Sequence, residues 1–179
     1  MKSVWKYSAA TAAAVLMSFA ATKTGQVESV TINGKTISIK YSSPAVNGRE
    51  GKLFGKDGRI ASDPNYPVWR GGANEATALH TDADLDIGGL AVPKGDYTLY
   101  VNLANPNQWE LIVNKQTGQW GLEYNAKSDV GRVKMTMSKP SSMVEQLKYT
   151  LSHRDGSGNK ATLQLAWEDH VGSVPITVK

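Results

Sequence analysis

The sequence predicts an all-β domain, a single antiparallel β-sandwich of about ten strands, for which a jelly-roll-like order is one arrangement. From Val27 to Val178 apolar residues alternate with polar ones in short runs, the period of half-buried strands. Gly, Pro, Asn and Asp bound those runs at spacings of roughly 8 to 12 residues, as turns between strands do. The composition is globular at 40% hydrophobic and 20% charged, yet its 17 Gly and only 2 Phe describe a turn-rich chain.

The N-terminus joins a basic start, Lys2 and Lys6, to an apolar run from Ala9 to Ala21 that is too short to span a bilayer. This is the pattern of a cleavable secretory signal over residues 1–21, with small residues at Ser18 and Ala20 suiting cleavage after Ala20, or after Ala21. Residues 22–179 then form the one domain, expected in the periplasm or outside the cell. With 0 Cys, the chain has no disulfide framework, thiol chemistry, thiolate metal site or lipid-modified cysteine.

Val30 and Ile32 pass through Asn33-Gly34 into Ile37, Ile39 and Tyr41, the strongest short-range hairpin signal. A long connection from Ser42 to Pro67 follows, rich in Gly and Pro, with at most a short strand at 52–54. Further strands are expected around Ala76–His80, Ala83–Ile87, Tyr97–Leu103 and Trp109–Val113. After them come Trp120–Tyr124, Val133–Met137, Leu147–Leu151, Ala161–Trp167 and Val174–Val178. A hairpin turn is read at Gly156-Ser157-Gly158-Asn159 and another near Gly172. Ser141–Gln146, after Pro140, reads as one capped helical turn.

The formal charge of +4 includes Lys2 and Lys6 in the leader, which leaves the mature domain near +2. Basic residues stand singly, without the stripe that neutralises a phosphate backbone, so nucleic acid is not an expected partner. After the leader no apolar segment is long enough to insert in a membrane. The residues call for no cofactor, and they do not fix the oligomeric state.

One stretch breaks the alternation while staying rich in committed polar groups: Trp69-Arg70-Gly71-Gly72-Ala73-Asn74-Glu75-Ala76-Thr77. It resembles the core signature of a bacterial family of exported proteins, domain-of-unknown-function family 2911. Ser43-Pro44 and Gly48-Arg49 precede the core as they do in that family. The resemblance continues through Pro93, Gly95, Tyr97, Trp109, Asn114, Trp120-Gly121, Tyr124, Asp129, Arg132 and Trp167. It implies an exported, sandwich-like domain and no established activity.

Gly71 and Gly72 permit a sharp turn between Trp69 and the strand beginning near Glu75. Arg70 and Glu75 are expected to face each other across it as a bidentate pair. Asn74 suits a left-handed conformation, and Thr77 closes the network by its hydroxyl. Two roles stay open for this cluster: a buried clasp tying the loop to the sheet, or a ligand site at one end of the sandwich. In the second, Trp69 and Tyr66 offer a stacking face, and the 66–77 loop meets the 43–55 loop.

Asp82, Asp84 and Asp86 alternate with Ala83, Leu85 and Ile87, which reads as a charged strand face. A calcium loop would need Gly and Glu where Ile87 and Pro93 stand, so no metal is expected. His80, His153 and His170 do not pair at ligand spacing. His80 is the candidate general base, or else a polar residue at a strand end, and the other two flank turns in solvent. Glycosidase chemistry would pair Glu75 with Asp129 or Glu123. Most aromatics fall at core positions, with Trp120 expected partly exposed and thus a secondary ligand residue.

The first expectation for function is a binding domain for a small molecule or envelope glycan, carried by Arg49, Trp69, Arg70, Asn74, Glu75 and Thr77 with His80 and Trp120 nearby. A hydrolase using Glu75 and His80 in one loop-end pocket is the alternative. An envelope scaffold marked by a large exposed apolar patch is a third.

Overall fold

Asn33 and Gly34 both take left-handed φ, 51° and 74°, the two-residue turn whose twist matches paired strands. They join β1 (Gly25–Ile32) to β2 (Lys35–Ser42) in unbroken register from Gly25–Ser42 to Ile32–Lys35. The computed structural model describes residues 25–153 and 158–179. The leader and part of the Gly156–Asn159 turn lie outside them.

The strands that follow are β3 (Val68–Trp69), β4 (Thr77–Thr81), β5 (Leu85–Ile87), β6 (Leu90–Val92), β7 (Gly95–Asn102) and β8 (Glu110–Asn114). After these come β9 (Asp129–Lys134), β10 (Thr136–Ser138), β11 (Val144–His153), β12 (Lys160–Glu168) and β13 (His170–Val178). One antiparallel sheet runs β1-β2-β4-β7-β8-β9, with β3 also on β7. The other runs β11-β12-β13-β5-β6, with β10 also on β13.

The two sheets form a β-sandwich. Alternate residues of both line one core, among them Ile37, Ile39, Leu99, Leu111, Leu163 and Ile176, each at most 1% exposed. The inward set follows from the period-two pattern, because each half-buried strand sends every second side chain to the same face. Trp109, Trp167 and Tyr97 are buried there. Among the described residues no helix is long and apolar enough to cross a membrane.

Thirteen strands are found among the described residues. The Val133–Met137 run divides at Met135, where the chain passes from one sheet to the other, β9 pairing with β8 and β10 with β13. No helical turn forms at 141–146. Val46 N–H donates to the Glu145 carbonyl oxygen at 2.9 Å and Leu147 N–H to that of Pro44 at 3.0 Å. This long-range pairing supplies backbone bonds that one isolated turn does not. Gly172 lies within β13, and the turn before it is Glu168-Asp169, with Glu168 at φ 55°.

Trp120–Tyr124 alternates but is not a strand. It crosses the outer face of the first sheet, where Val68, Tyr100 and Ile112 form a second small core with Ala76 and Tyr124. Side chains of the sheet hold its backbone. Tyr100 Oη donates to the Glu123 carbonyl oxygen at 2.6 Å, Thr98 Oγ1 to that of Gln116 at 2.7 Å, and Asn114 Nδ2 to that of Asn125 at 2.9 Å. These bonds satisfy the polar groups that a strand would satisfy on a neighbour.

The long connection carries no strand at 52–54 but buries Val46, Leu53 and Ile60 in the main core. A 3-10 turn at Arg59–Ser62 carries Ile60 inward. By this route the connection runs from the end of β2 to the start of β11 and back to β3, closing one end of the sandwich.

Candidate functional site

The singled-out motif is an excursion between two strands that pair with β7. Trp69 pairs with Val101 on β7, and Thr77 rejoins the same strand opposite Leu99. Between them Arg70–Ala76 leaves the sheet. Gly71 and Asn74 reverse the chain with φ of 62° and 61°, values open to Gly and tolerated by Asn. Gly71 admits no side chain, because the Tyr149 hydroxyl fills that space, and at Gly72 a Cβ would lie 2.9 Å from the Ser42 carbonyl oxygen.

Three backbone bonds anchor the excursion to two neighbouring segments. Ala73 N–H donates to Ser42 O at 3.2 Å, Gly121 N–H to Asn74 O at 3.0 Å, and Ala76 N–H to Gln119 O at 3.4 Å. Thr77, fully buried, donates from Oγ1 to Gly71 O at 3.4 Å, which closes the network as its hydroxyl suggests.

The expected Arg70–Glu75 pair does not form. Arg70 Nη1 lies 3.2 Å from Asp63 Oδ2, their side chains 20% and 6% exposed. Two left-handed residues between Arg70 and Glu75 send their side chains apart. Arg70 runs back over Gly121, where a Cβ would collide with its Cδ. Asp63 is fixed in turn by Asn65, whose N–H donates to Oδ1 at 3.0 Å, an Asx turn around Pro64. Glu75 is exposed and paired in the backbone with Trp120.

Two clefts flank the motif. The first, about 300 Å³, is lined by Arg49, Arg59, Asp63, Trp69, Arg70 and Trp167, with Leu53, Ile60 and Leu122 as apolar wall. Here the 43–55 and 66–77 loops meet. Three arginines and one carboxylate line it, and of the three Arg70 pairs with that carboxylate. Arg49 is held rigid, donating from Nε to Val46 O and from Nη2 to Ala45 O, both at 2.8 Å. Arg70 Nε is buried without an acceptor. Arg59 is exposed, and its side chain has no hydrogen bond or ion pair among the described residues.

Trp69 is 3% exposed and stacks on Trp167 at 5.8 Å, with Phe54 edge-on to both. Its faces are therefore filled by the core, and it floors the first cleft rather than offering a stacking face. Tyr66 is likewise packed against the core.

The second cleft, about 420 Å³, lies on the outer face of the first sheet, lined by Lys40, Ser42, Asn74, Glu75, Thr98 and Gln119. The nominated residues therefore divide. Arg49, Trp69 and Arg70 share the first cleft, Asn74 and Glu75 the second, and Thr77 holds the turn between them. Trp120 is 48% exposed opposite Glu75, in line with the expectation that it is partly open. Sequence reasoning missed Arg59 and Asp63. Asp63-Pro64-Asn65 carried a turn signal, whereas nothing local marked Arg59.

His80 lines neither cleft. Its Nδ1 lies 2.8 Å from Asp96 Oδ1 and its Nε2 3.2 Å from Asp82 Oδ1, on an exposed strand face. These hydrogen bonds, Asp96 first and Asp82 second, raise its pKa above 6.5. Asp82 also accepts from Thr36 N–H, Asp84 from Lys94 N–H and Asp86 from Gly89 N–H. Asp129 is bound to Tyr124 at 2.7 Å and to Asn114 at 2.8 Å and lines neither cleft. Burial, and then that hydrogen bond, push the Tyr124 phenol up to about 12.

His170 is only partly solvated. It stacks on Trp109 at 5.3 Å beside Phe54 and is 25% exposed. Glu168, Asp169 and His170 bring three ligand-capable side chains within 4.8 Å of one another. Glu168 is nonetheless committed to Gly51 N–H, and a hairpin turn gathers such groups without any ion.

The family model described as a protein of unknown function (DUF2911) matches residues 22–176. No curated protein and no solved structure matches the chain.

Proposed function

The chain belongs to the DUF2911 family, whose description assigns no chemistry, and we propose from its own clefts that it is an exported, periplasmic or secreted binding domain for a small anionic molecule or an acidic envelope glycan. The ligand is held in the first cleft by Arg49, Arg59 and Arg70. The observation that carries this reading is that three arginines line one cleft with Asp63 as the single carboxylate of its lining, and that Arg70 has a buried Nε–H without an acceptor.

Unsatisfied buried donors are costly, and a guanidinium presents a planar fork suited to carboxylate, sulfate or phosphate. The cleft is at the lower end of the size range of small-molecule sites, which suits one acidic sugar or a ligand of similar size. Arg49 and Arg70 are already positioned by the fold, so little side-chain freedom is lost when they engage an anion. The hydrolase alternative gains no support from geometry. Glu75 and His80 are separated by five residues of extended chain, roughly 16 Å, and share no cleft.

The test is calorimetric titration of the mature protein with inorganic pyrophosphate, citrate and oligogalacturonate, repeated with Arg59→Ala. Arg59 is exposed, so that variant keeps its fold. Saturable binding weakened about tenfold by the substitution is expected, the loss of roughly one charge-assisted bond. Absence of binding to all three, or equal affinity in the variant, would overturn the reading.

A further inference from the structure

We propose that the second cleft is a separate binding site for a neutral, hydroxyl-rich ligand, an uncharged saccharide, which stacks on Trp120 and hydrogen-bonds to Glu75 and Gln119.

The placement of Trp120 follows from its backbone pairing. Ala76 N–H bonds Gln119 O and Gly121 N–H bonds Asn74 O, so the bonds flank the Glu75–Trp120 pair rather than joining it. In such a pair the two side chains leave on the same face with their Cβ atoms about 5 Å apart. Glu75 lines the cleft, and Trp120, which lies outside that lining, stands next to Glu75. Trp120 is 48% exposed, whereas Trp69, Trp109 and Trp167 are at most 4% exposed. An indole left open beside polar side chains is a stacking platform for the apolar face of a sugar ring.

The cleft lining also holds an acceptor that no donor of the described residues reaches. Gln119 is 8% exposed, and both donors of its amide are spent, on Thr98 Oγ1 at 3.2 Å and Tyr100 Oη at 2.9 Å. Those hydroxyls donate onward to Gln116 O and Glu123 O, so each has only lone pairs to offer the amide, and its orientation is fixed. Gln119 Oε1 is left buried without a partner. The Glu75 carboxylate has no ion pair among the described residues.

Charge separates this site from the first cleft. Lys40 and Glu75 balance, so the lining is neutral where the first cleft carries an excess of arginine. Acceptors at Glu75 and Gln119 together with donors at Lys40, Ser42 and Asn74, beside an open indole, suit ring hydroxyls, which both donate and accept, better than an anion.

The experiment is an NMR titration of the mature protein with maltohexaose, cellohexaose and chitohexaose, read at the Trp120 indole N–H and the Gln119 side-chain amide. The Trp120 signal is assigned by Trp120→Phe. At least one sugar is expected to shift both signals saturably. Trp120→Ala should abolish the effect and Glu75→Gln weaken it about tenfold. Both residues are exposed, so thermal unfolding of the variants should match that of the parent. Arg59→Ala should bind the sugar as the parent does, which keeps this outcome distinct from that of the arginine cleft. No response at Trp120 to any of the three at about 10 mM, or binding that survives Trp120→Ala, would overturn the proposal.

Discussion

Arg70 reaches Asp63 at 3.2 Å by passing over Gly121, where any side chain would strike Arg70 Cδ and the Asn74 carbonyl oxygen. One ion pair thus joins the excursion between β3 and β4 to the long connection that closes the sandwich. The same pair fixes a guanidinium in the first cleft. The clasp and the first cleft are parts of one arrangement.

Removing one partner of this pair strands a mostly buried charge. Asp63→Ala is expected to cost about 3 kcal/mol and lower the unfolding midpoint by roughly 6 to 12 °C. Glu75→Ala, at an exposed position without an ion pair, should stay within about 0.5 kcal/mol of the parent. Thermal unfolding of both variants near neutral pH checks the contrast. A large loss for Glu75→Ala alone would return the clasp to that carboxylate.

Gly121→Ala is expected to displace Arg70, because one added methyl overlaps its side chain. Overpacking of this kind costs about 1 to 3 kcal/mol. Anion affinity should fall with stability, since the displaced group belongs to the first cleft. A variant as stable and as tight-binding as the parent would show that Arg70 does not depend on this slot.

The His80 pKa is raised by Asp96 and then Asp82. A raised pKa means that protonated His80 favours the fold. That contribution is present below the ordinary value near 6.5 and is lost as pH rises through the folded value. NMR titration of the imidazole should give a midpoint above 6.5, and Asp96→Asn should bring it down. An unchanged midpoint in that variant would contradict the assignment of cause.

Tyr124 provides an alkaline counterpart. Burial and the Asp129 hydrogen bond hold its phenol protonated up to about 12. The sign is again that of a raised group: the stabilisation is complete below the ordinary phenol value near 10 and is lost as pH climbs through the folded value. Ultraviolet titration, compared with Tyr124→Phe, should place this phenol late. Ionisation near 10 would show that the Tyr124–Asp129 contact does not hold in solution.

Much of the fold was legible in local pattern. Asn33-Gly34 announced its hairpin, and the alternation through Tyr97–Leu103 and Ala161–Trp167 marked strands because each has a neighbour on both sides. The same alternation misled at Trp120–Tyr124, where Tyr124 faces the outer side of the sheet and Trp120 faces solvent, giving period two without a ladder. At Ser141–Gln146 a capping pattern yielded to pairing with residues 44–46, far away in sequence. In the site, the left-handed Gly71 and Asn74 followed from residue type, whereas Gly72 takes no left-handed φ and is held small by the Ser42 carbonyl oxygen. The Asp63 partner did not follow from residue type, because two left-handed residues reverse the direction in which Arg70 and Glu75 project. Which carboxylate an arginine meets depends on that tertiary geometry, and residue type alone does not carry it.

The most direct measurement is an NMR titration of the arginine Nε–H signals with sodium sulfate, against sodium chloride at matched ionic strength. Saturable shifts at Arg70 and Arg49 with sulfate, and none at Arg132, which is bound to Asp129 outside both clefts, are the expected result. Shifts that do not saturate, that appear equally with chloride, or that fall equally on Arg132 would contradict an anion site in the arginine cleft.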